Sequence, residues 1–372
     1  MTESRITLAR MYRGLNKRQL AEAVGVSPRA ITGFEKGETK PSKETMGRIA
    51  EAVRFPISFF ELPEVDLPQP SAVSFRARRK MSRKQRDQAI SSSAFGIGFS
   101  DWLDKNFDLP DVDIPDLSGM HPEEAATMLR SIWGLGELPV ADMISTLEAH
   151  GVRVFSVTEA SLSVDAYSFW DENRGRPFVF LTTAKSGERR RMDAAHELGH
   201  LCMHRKVNLE EETREIEREA DAFASAFLMP RSGFIATVPR GCTLTDFMKI
   251  KQVWKVSLAA CVYRAHALGL LTDWQYRNMF KTMSSRGMRK EEPYPMVPER
   301  SQVATKVIAM EQREFGSTEQ IIQETGIPQS LIQSITFNMP GVAIQGGGGR
   351  PNRYGLASED AHTEKPKLTL VQ

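Results

Sequence analysis

The first sixty residues place apolar side chains at the spacing of short amphipathic helices. Asn16 can cap one such helix, and Gly25 suits the left-handed conformation that closes it. Ser27 can cap the next helix, with Pro28 in its first turn. The pattern therefore predicts two short helices around a glycine turn, the geometry of a helix-turn-helix module. Their predicted apolar faces consist of Leu20, Ala21, Val24, Ile31 and Phe34.

A second patterned region, residues 121–290, mixes helical and extended segments. Its first part changes from the helical period to short apolar runs that are typical of strands. Two of these runs are joined by a polar, glycine-containing turn and predict a hairpin. Long helical patterns occupy the rest of the region. The predicted helices cover 121–133 and 140–150, and the predicted strands cover 151–157, 166–170 and 177–182.

The distribution of charged side chains adds information about the N-terminal region. The 372-residue chain has 49 basic and 47 acidic side chains, so its net charge of +2 indicates no particular partner. Residues 1–60, however, hold eleven basic and six acidic side chains, and residues 76–86 hold seven basic and no acidic ones. A basic surplus on a helix-turn-helix favours binding to DNA phosphates. The run at 76–86 is either a second contact with DNA or a solvated face.

Residues 4–61 resemble the Cro/repressor-type (XRE) family of helix-turn-helix domains, on the sequence from Leu15 to Pro41. The second helix of that motif enters the major groove, so the resemblance implies double-stranded DNA as a partner. It also implies a homodimer, because such domains often bind palindromic sites in pairs. Lys17 stands where the family usually has glutamine, and it is expected to bind phosphate. The residues implied to face DNA are Lys17, Ser27, Arg29, Thr32 and Lys36.

Gly33 departs from the family pattern inside the second helix of the motif. A glycine offers no side chain for base contact, and it weakens a helix by about 1 kcal/mol relative to alanine. Sequence-specific readout is therefore less firmly indicated than the fold. The alternative for this region is a helical interaction module that binds no DNA.

A metal-binding motif lies in the second region, where the chain reads His196-Glu197-x-x-His200. Histidines four residues apart share one face of a helix, so both imidazoles can bind one Zn²⁺ ion. Glu197 lies beside them and suits the general base that activates water. Small and apolar neighbours indicate that this helix is buried. The motif therefore predicts a zinc site of the zincin type.

A catalytic zinc site takes three protein ligands, so a third ligand is expected. His204 lies about 80° around a straight helix from the first histidine, and we expect it to pack or to support a ligand. The segment 216–230 instead presents carboxylates beside an apolar helix face. Glu217 is the predicted ligand, with Glu219 in reserve. Asp221 is predicted to orient a zinc-bound histidine.

These two segments together resemble the ImmA/IrrE family of metallopeptidases, and the resemblance extends over about residues 120–290. It implies a zinc-dependent endopeptidase of the cytoplasm, often fused to or encoded beside an XRE-type regulator. Members commonly cleave a repressor, so a repressor is the implied protein substrate. Further matches to the family are Trp133-Gly134-Leu135-Gly136 and Trp254-Lys255-Val256-Ser257.

Two features bear on how a substrate would be held. The strand at 177–182 is either an edge strand that could bind an extended peptide by strand addition, or a wholly buried strand. Three residues are candidates for stabilising the oxyanion that forms during peptide hydrolysis: Tyr167, Tyr263 and Arg264.

Prolines at 56–70 and 293–298 interrupt the helical patterns and indicate domain boundaries. We predict a mainly α protein of the α+β class. Its predicted units are a helix-turn-helix domain (1–61), a linker with a basic helix (62–118), a zincin-like domain with a small sheet and an active-site helix (119–292), a short helical region (293–339) and a disordered tail (340–372).

Two functions from different classes remain open on the sequence, and an autoproteolytic regulator is a third alternative, because the linker at 62–118 could reach many places. One is a DNA-binding regulator that carries a zinc endopeptidase with Glu197 as its base. The other is a repressor or antitoxin-like regulator whose zincin domain is a sensor or dimerisation unit without turnover. Three cysteines without CxxC spacing favour a reducing compartment, and no apolar run suits a signal peptide or a membrane span. The expected location is the cytoplasm.

Overall fold

The computed structural model describes residues 3–63, 74–75, 82–157, 166–205, 214–315 and 318–338. The predicted fold class is confirmed, because these residues form many helices and one small sheet. Residues 76–81 of the basic run and the whole predicted tail, 340–372, lie outside the described residues. Among the described helices, none combines the length and apolar character that crossing a bilayer requires.

The N-terminal domain is entirely helical. Asn16 accepts a hydrogen bond from the backbone of Gln19, whose side chain accepts one from the backbone of Asn16 in return. Gly25 ends this helix with a φ of 73°, and Ser27 caps the next helix through a bond from the backbone of Ala30. These are the caps that the sequence predicts. The elements are α1 (Glu3–Tyr12), α2 (Lys17–Val24), α3 (Pro28–Glu35), α4 (Lys43–Val53) and a 3-10 helix (Ile57–Glu61).

The sheet has four strands in the order β1-β3-β4-β2. The pairs β1–β3 and β3–β4 are antiparallel, and the pair β2–β4 is parallel. The segment predicted at 177–182 corresponds to β4, which is hydrogen-bonded on both sides. The edge-strand alternative for it is therefore wrong, and the buried alternative is confirmed. The strands are β1 (Ser74–Phe75), β2 (Arg153–Ser156), β3 (Ala166–Asp171) and β4 (Arg176–Leu181).

Each face of the sheet belongs to a different apolar cluster, because successive side chains of a strand point to opposite faces. One cluster joins large aromatic side chains of the sheet to the N-terminal domain. The other joins smaller side chains to the helices of the second domain. The aromatic face includes Tyr167, Phe169, Phe178 and Phe180, and the opposite face includes Ala166, Val179 and Leu181.

The long helix α5 (Arg83–Asn106) lies in the segment that the sequence assigns to a linker, and the structure gives it a different role. Between Gln88 and Ser100 almost every side chain is buried. A Cβ atom on Gly96 would come within 2.9 Å of the rings of Phe155 and Phe180, so glycine allows the helix to lie directly on the sheet. This helix therefore fills the space between the N-terminal domain and the sheet, and its basic residues lie near its two ends, in the first turns and at Lys105.

Most of the remaining helices surround the other face of the sheet, and the C-terminal ones return to the core. Glu148 receives hydrogen bonds from the backbones of Gln302 and Val303, which attaches the last helical region to the second domain. These helices are α6 (Pro122–Ile132), α7 (Met143–Ala149), α8 (Gly187–Met203), α9 (Arg214–Leu228), α10 (Arg231–Thr237), α11 (Leu244–Trp254), α12 (Leu258–Ala267), α13 (Asp273–Ser285), α14 (Gln302–Phe315), α15 (Glu319–Thr325) and α16 (Gln329–Ile335).

Candidate functional site

The histidine motif lies on α8, a helix that is buried along nearly its whole length between the sheet and α9. Gly199 faces α9, and a Cβ atom there would meet the ring of Phe223 at 3.0 Å and the backbone of Ala220 at 3.4 Å. Glycine at this position lets the two helices approach closely. This approach brings carboxylates of α9 to histidines of α8.

Three of the predicted site residues come together at this contact. The Nε2 atoms of His196 and His200 are 3.0 Å apart, and Glu217 places its carboxylate oxygens 3.7 Å from the first and 3.5 Å from the second. In a tetrahedral zinc site with bonds of about 2.05 Å, neighbouring ligand atoms lie about 3.3 Å apart. The three side chains therefore fit a zinc ion by both donor type and spacing. They form the His/Glu metal-site candidate among the described residues.

Asp221 lies where the sequence predicts a supporting residue. Its Oδ1 atom is 2.8 Å from Nδ1 of His196. A neutral imidazole that donates its Nδ1–H to a carboxylate keeps a lone pair on Nε2. The contact therefore directs the lone pair of His196 toward His200 and Glu217.

Glu219, the reserve ligand of the sequence prediction, lies elsewhere. Its Oε2 atom is 2.9 Å from Nε2 of His204, and Nδ1 of His204 is 3.0 Å from Nδ1 of His200. His204 follows the last residue of α8, where the backbone leaves helical geometry with φ −117° and ψ 19°. The contacts of Glu219 thus connect it to a histidine beside the cluster instead of to the cluster itself. Burial lowers the pKa of His204, and Glu219 opposes that shift.

Glu197, the predicted general base, is fully buried beside the two histidines. Burial raises the pKa of its carboxyl group, while His200, His196 and Ser168 act in the opposite direction. The hydroxyl of Ser168 donates a hydrogen bond of 2.7 Å to Oε2 of Glu197. Sequence reasoning missed Ser168, although the alternation of the predicted strand places it on the face opposite to Tyr167.

The three candidates for oxyanion stabilisation do not lie in one place. The hydroxyl of Tyr167 donates to the carbonyl of Ala89 on α5, on the other face of the sheet from Glu197. Arg264 forms two hydrogen bonds with the carboxylate of Glu123 and one with a backbone carbonyl, which ties α12 to α6. Tyr263 is 57% exposed. The structure therefore gives Tyr167 and Arg264 packing roles, which the sequence prediction did not foresee.

Four of the five residues implied to face DNA lie on or beside α3, and Lys17 begins α2. Arg29 and Lys36 are exposed, and Ser27 is exposed at the cap of the helix. The hydroxyl of Thr32 donates to the carbonyl of Pro28 one turn earlier, which leaves its oxygen able to accept a further bond. Lys36 has Glu38 at 3.5 Å, both in solvent, so this ion pair is weak.

Lys17 has a different environment from the other predicted DNA contacts. Its Nζ atom is 3.2 Å from Oε2 of Glu35, a carboxylate that also receives hydrogen bonds from Arg10. The Lys17 side chain is 41% exposed, so it can reach solvent from this ion pair. A phosphate contact by Lys17 would therefore compete with the contact to Glu35.

Gly33 does not lie on the exposed side of α3. It is buried, and a Cβ atom there would come within 2.7 Å of the hydroxyl oxygen of Thr39 in the following loop. The glycine therefore accommodates the loop. The sequence-based view that it removes a base-contacting side chain stays a prediction, and the structure adds that the position faces the side chain of Thr39.

Two segments of the chain match models of known protein families. Residues 7–60 match the helix-turn-helix model, and residues 147–266 match the model of the IrrE N-terminal-like domain of the M78 peptidases. No curated protein matches the chain by sequence. The chain therefore carries two segments that match these models, an XRE-type helix-turn-helix domain and a domain similar to the IrrE N-terminal-like domain.

Proposed function

We propose that this protein is a DNA-binding regulator that carries a zinc-dependent endopeptidase, and that its substrate is a partner protein of the repressor class. The observation that carries the proposal is the buried cluster of His196, His200 and Glu217 with the carboxylate of Glu197 beside it. A purely structural zinc site has no need of that fourth side chain. The match to the IrrE-like domain supports the same reading.

His196, His200 and Glu217 would hold the zinc ion, and Asp221 would keep His196 in the tautomer that binds it. When bound, zinc supplies a Lewis acid that polarises the scissile carbonyl and lowers the pKa of water. Two imidazoles and one carboxylate would be the three protein ligands that a catalytic zinc site takes.

Glu197 would act as general base and then as general acid. Its carboxylate accepts a proton from the attacking water and delivers that proton to the leaving amine. The hydrogen bond from Ser168 to Oε2 holds the carboxylate in one orientation, so the other oxygen is the one that takes the proton.

The N-terminal domain would bring this chemistry to DNA. Arg29 and Lys36 extend into solvent from the recognition helix, where cations can meet phosphates or base edges. We place the protein in the cytoplasm, where DNA is found and where the buried thiols of Cys202, Cys242 and Cys261 would stay reduced. A homodimer on a palindromic site completes the proposal.

The test compares the full-length protein with its Glu197→Gln variant. Zinc content is measured first, and each protein is then incubated with a panel of XRE-type repressors, with cleavage followed by mass spectrometry. We expect equal zinc content and a loss of cleavage of at least about 100-fold in the variant. The matched control is Glu215→Gln on exposed α9 surface, which should cleave normally.

Two results would overturn the proposal. A wild-type protein that binds no zinc would remove the metal centre. If both proteins bind zinc but neither cleaves any repressor that binds the wild type, the domain would be a non-catalytic sensor instead.

A further inference from the structure

We propose that His204 and Glu219 are positioning residues that hold His200 in the tautomer and orientation required to bind zinc. The inference rests on the zinc site of the proposed function. It assigns a purpose to two side chains that would not touch the metal or the substrate.

A continuous line of contacts links the cluster to the edge of α9. Nδ1 of His200 is 3.0 Å from Nδ1 of His204, and Nε2 of His204 is 2.9 Å from Oε2 of Glu219. Both histidines are buried, whereas the Glu219 side chain is 41% exposed. The line therefore begins in the protein interior and ends at a charge that remains partly hydrated.

The direction of the hydrogen bonds follows from the carboxylate at the far end. An ionised carboxylate only accepts, so Nε2 of a neutral His204 carries the proton and its Nδ1 is an acceptor. Nδ1 of His200 must then donate, which leaves the lone pair of His200 on Nε2. That atom is the one that faces His196 and Glu217, at 3.0 and 3.5 Å. The carboxylate of Glu219 thus fixes the tautomer of His204 and, through His204, the tautomer of His200.

The two zinc-binding histidines are supported in different ways. His196 contacts the carboxylate of Asp221 directly, and His200 reaches the carboxylate of Glu219 through one intervening imidazole. His204 can bridge because α8 ends at Met203, so its ring is not confined to the direction that a continued helix would impose. The loss of such outer partners commonly weakens metal binding about 10- to 100-fold.

The experiment measures the zinc dissociation constant of the full-length protein by competition with a chelator. We expect His204→Ala to weaken zinc binding about 10- to 100-fold and Glu219→Ala to weaken it less. His204→Asn keeps a side-chain oxygen that can accept from His200, and Glu219→Gln keeps an oxygen that can accept from His204. Both conservative variants should therefore bind zinc more tightly than the alanine variants. The visible spectrum of the cobalt-substituted protein should change in the same order.

His150→Ala is the matched control, because this histidine is also buried but stacks on Trp133 at 3.9 Å, with Asp113 as its polar partner. It should leave zinc affinity unchanged. Glu219→Ala keeps the test decisive if His204→Ala fails to fold, since it removes a half-exposed group. Zinc affinity within twofold of wild type in the alanine variants would overturn this inference alone. A wild type that binds no zinc would overturn it together with the proposed function.

Discussion

In the N-terminal domain, the side chains implied to meet DNA lie within one stretch from Lys17 to Lys36, and most of them extend into solvent. In the IrrE-like domain, the predicted metal ligands come from two helices, and His196 and His200 are buried. Most of the DNA-facing residues have at most a local partner, such as Glu38 for Lys36, and Lys17 pairs with Glu35 of α3. Each metal-facing histidine has a partner from a different part of the chain.

This difference has consequences for how the two regions respond to mutation. Exposed charges act mainly through screened, single contacts, so their effects should add. Buried groups in one hydrogen-bonded network depend on each other, so one substitution should disturb several of them. The metal region should therefore show large and coupled effects, and the DNA-facing region should show small and separable ones.

The largest effect is expected for Glu217→Gln. The change removes the charge of the third predicted ligand. Loss of a residue that only supports a ligand weakens metal binding by up to about 100-fold, so zinc affinity should fall by more than this factor here. Chelator competition measures it, with the exposed Glu215→Gln on the same helix as control. An affinity loss below tenfold would show that Glu217 is not a ligand.

Removal of zinc from the wild-type protein should lower its thermal stability. A ligand at 100 times its dissociation constant stabilises the folded state by about 2.7 kcal/mol. For a domain of this size each kcal/mol corresponds to about 2–4 °C. Differential scanning calorimetry with and without chelator should therefore show a drop of several degrees. The same treatment of Glu217→Gln should produce almost no drop, and an equal drop in both would contradict the assignment.

Gly199→Val should disturb the metal region through packing alone. The new side chain would push against Phe223 and Ala220, and overpacking of this kind costs about 1–3 kcal/mol. Because α8 and α9 supply the ligands jointly, we expect zinc affinity to fall together with the free energy of unfolding. Chemical denaturation and zinc titration of the same variant test this coupling. Destabilisation without any change in zinc affinity would show that the packing of α8 on α9 is not coupled to metal binding.

Arg29→Ala should have a smaller effect, restricted to DNA. Removing one exposed cation should weaken binding to a mixed-sequence duplex several-fold and reduce the salt dependence of log K by about 1. Zinc affinity should not change. Lys105→Ala, an exposed cation near the end of α5, is the control and should bind DNA normally. Equal DNA affinity in Arg29→Ala and wild type would remove Arg29 from the interface.

The smallest effect is expected for Gly33→Ala. Alanine favours the helix by about 1 kcal/mol, but its methyl group would require Thr39 to move. Gly47→Ala in α4 is the matched comparison, because a Cβ atom there meets nothing within 4 Å. Denaturation should show less stabilisation from Gly33→Ala than from Gly47→Ala. Equal stabilisation would show that a methyl group at position 33 meets no resistance from Thr39, and the packing role of Gly33 would then be wrong.

The features that could be predicted from the sequence are those in which neighbours along the chain decide the outcome. Asn16, Gly25 and Ser27 close and open helices through bonds within three or four residues. His196 and His200 share a face because one helical turn separates them. The predicted strands also fall at the observed positions, since alternation of apolar residues is local information.

Other features could not be predicted, because they depend on how distant segments pack. The burial of α5 against the sheet depends on aromatic rings of β2 and β4 meeting Gly96. Ser168 reaches Glu197 only because β3 lies under α8. Glu219 was a reasonable reserve ligand because of its angle around α9. The structure instead places His204, just after the end of α8, within hydrogen-bond distance of its carboxylate.

The sequence by itself determined the helix-turn-helix, the His196 and His200 pair with its glutamate, and the order of helices and strands in residues 121–182, because each of these follows from contacts within a few residues. The tertiary structure decided which strand is internal, which carboxylate of α9 meets the cluster and which contacts a histidine, and that Gly33 faces the domain itself. These outcomes depend on the distance between elements, and residues such as Gly96 and Gly199 allow close approach because they have no side chain.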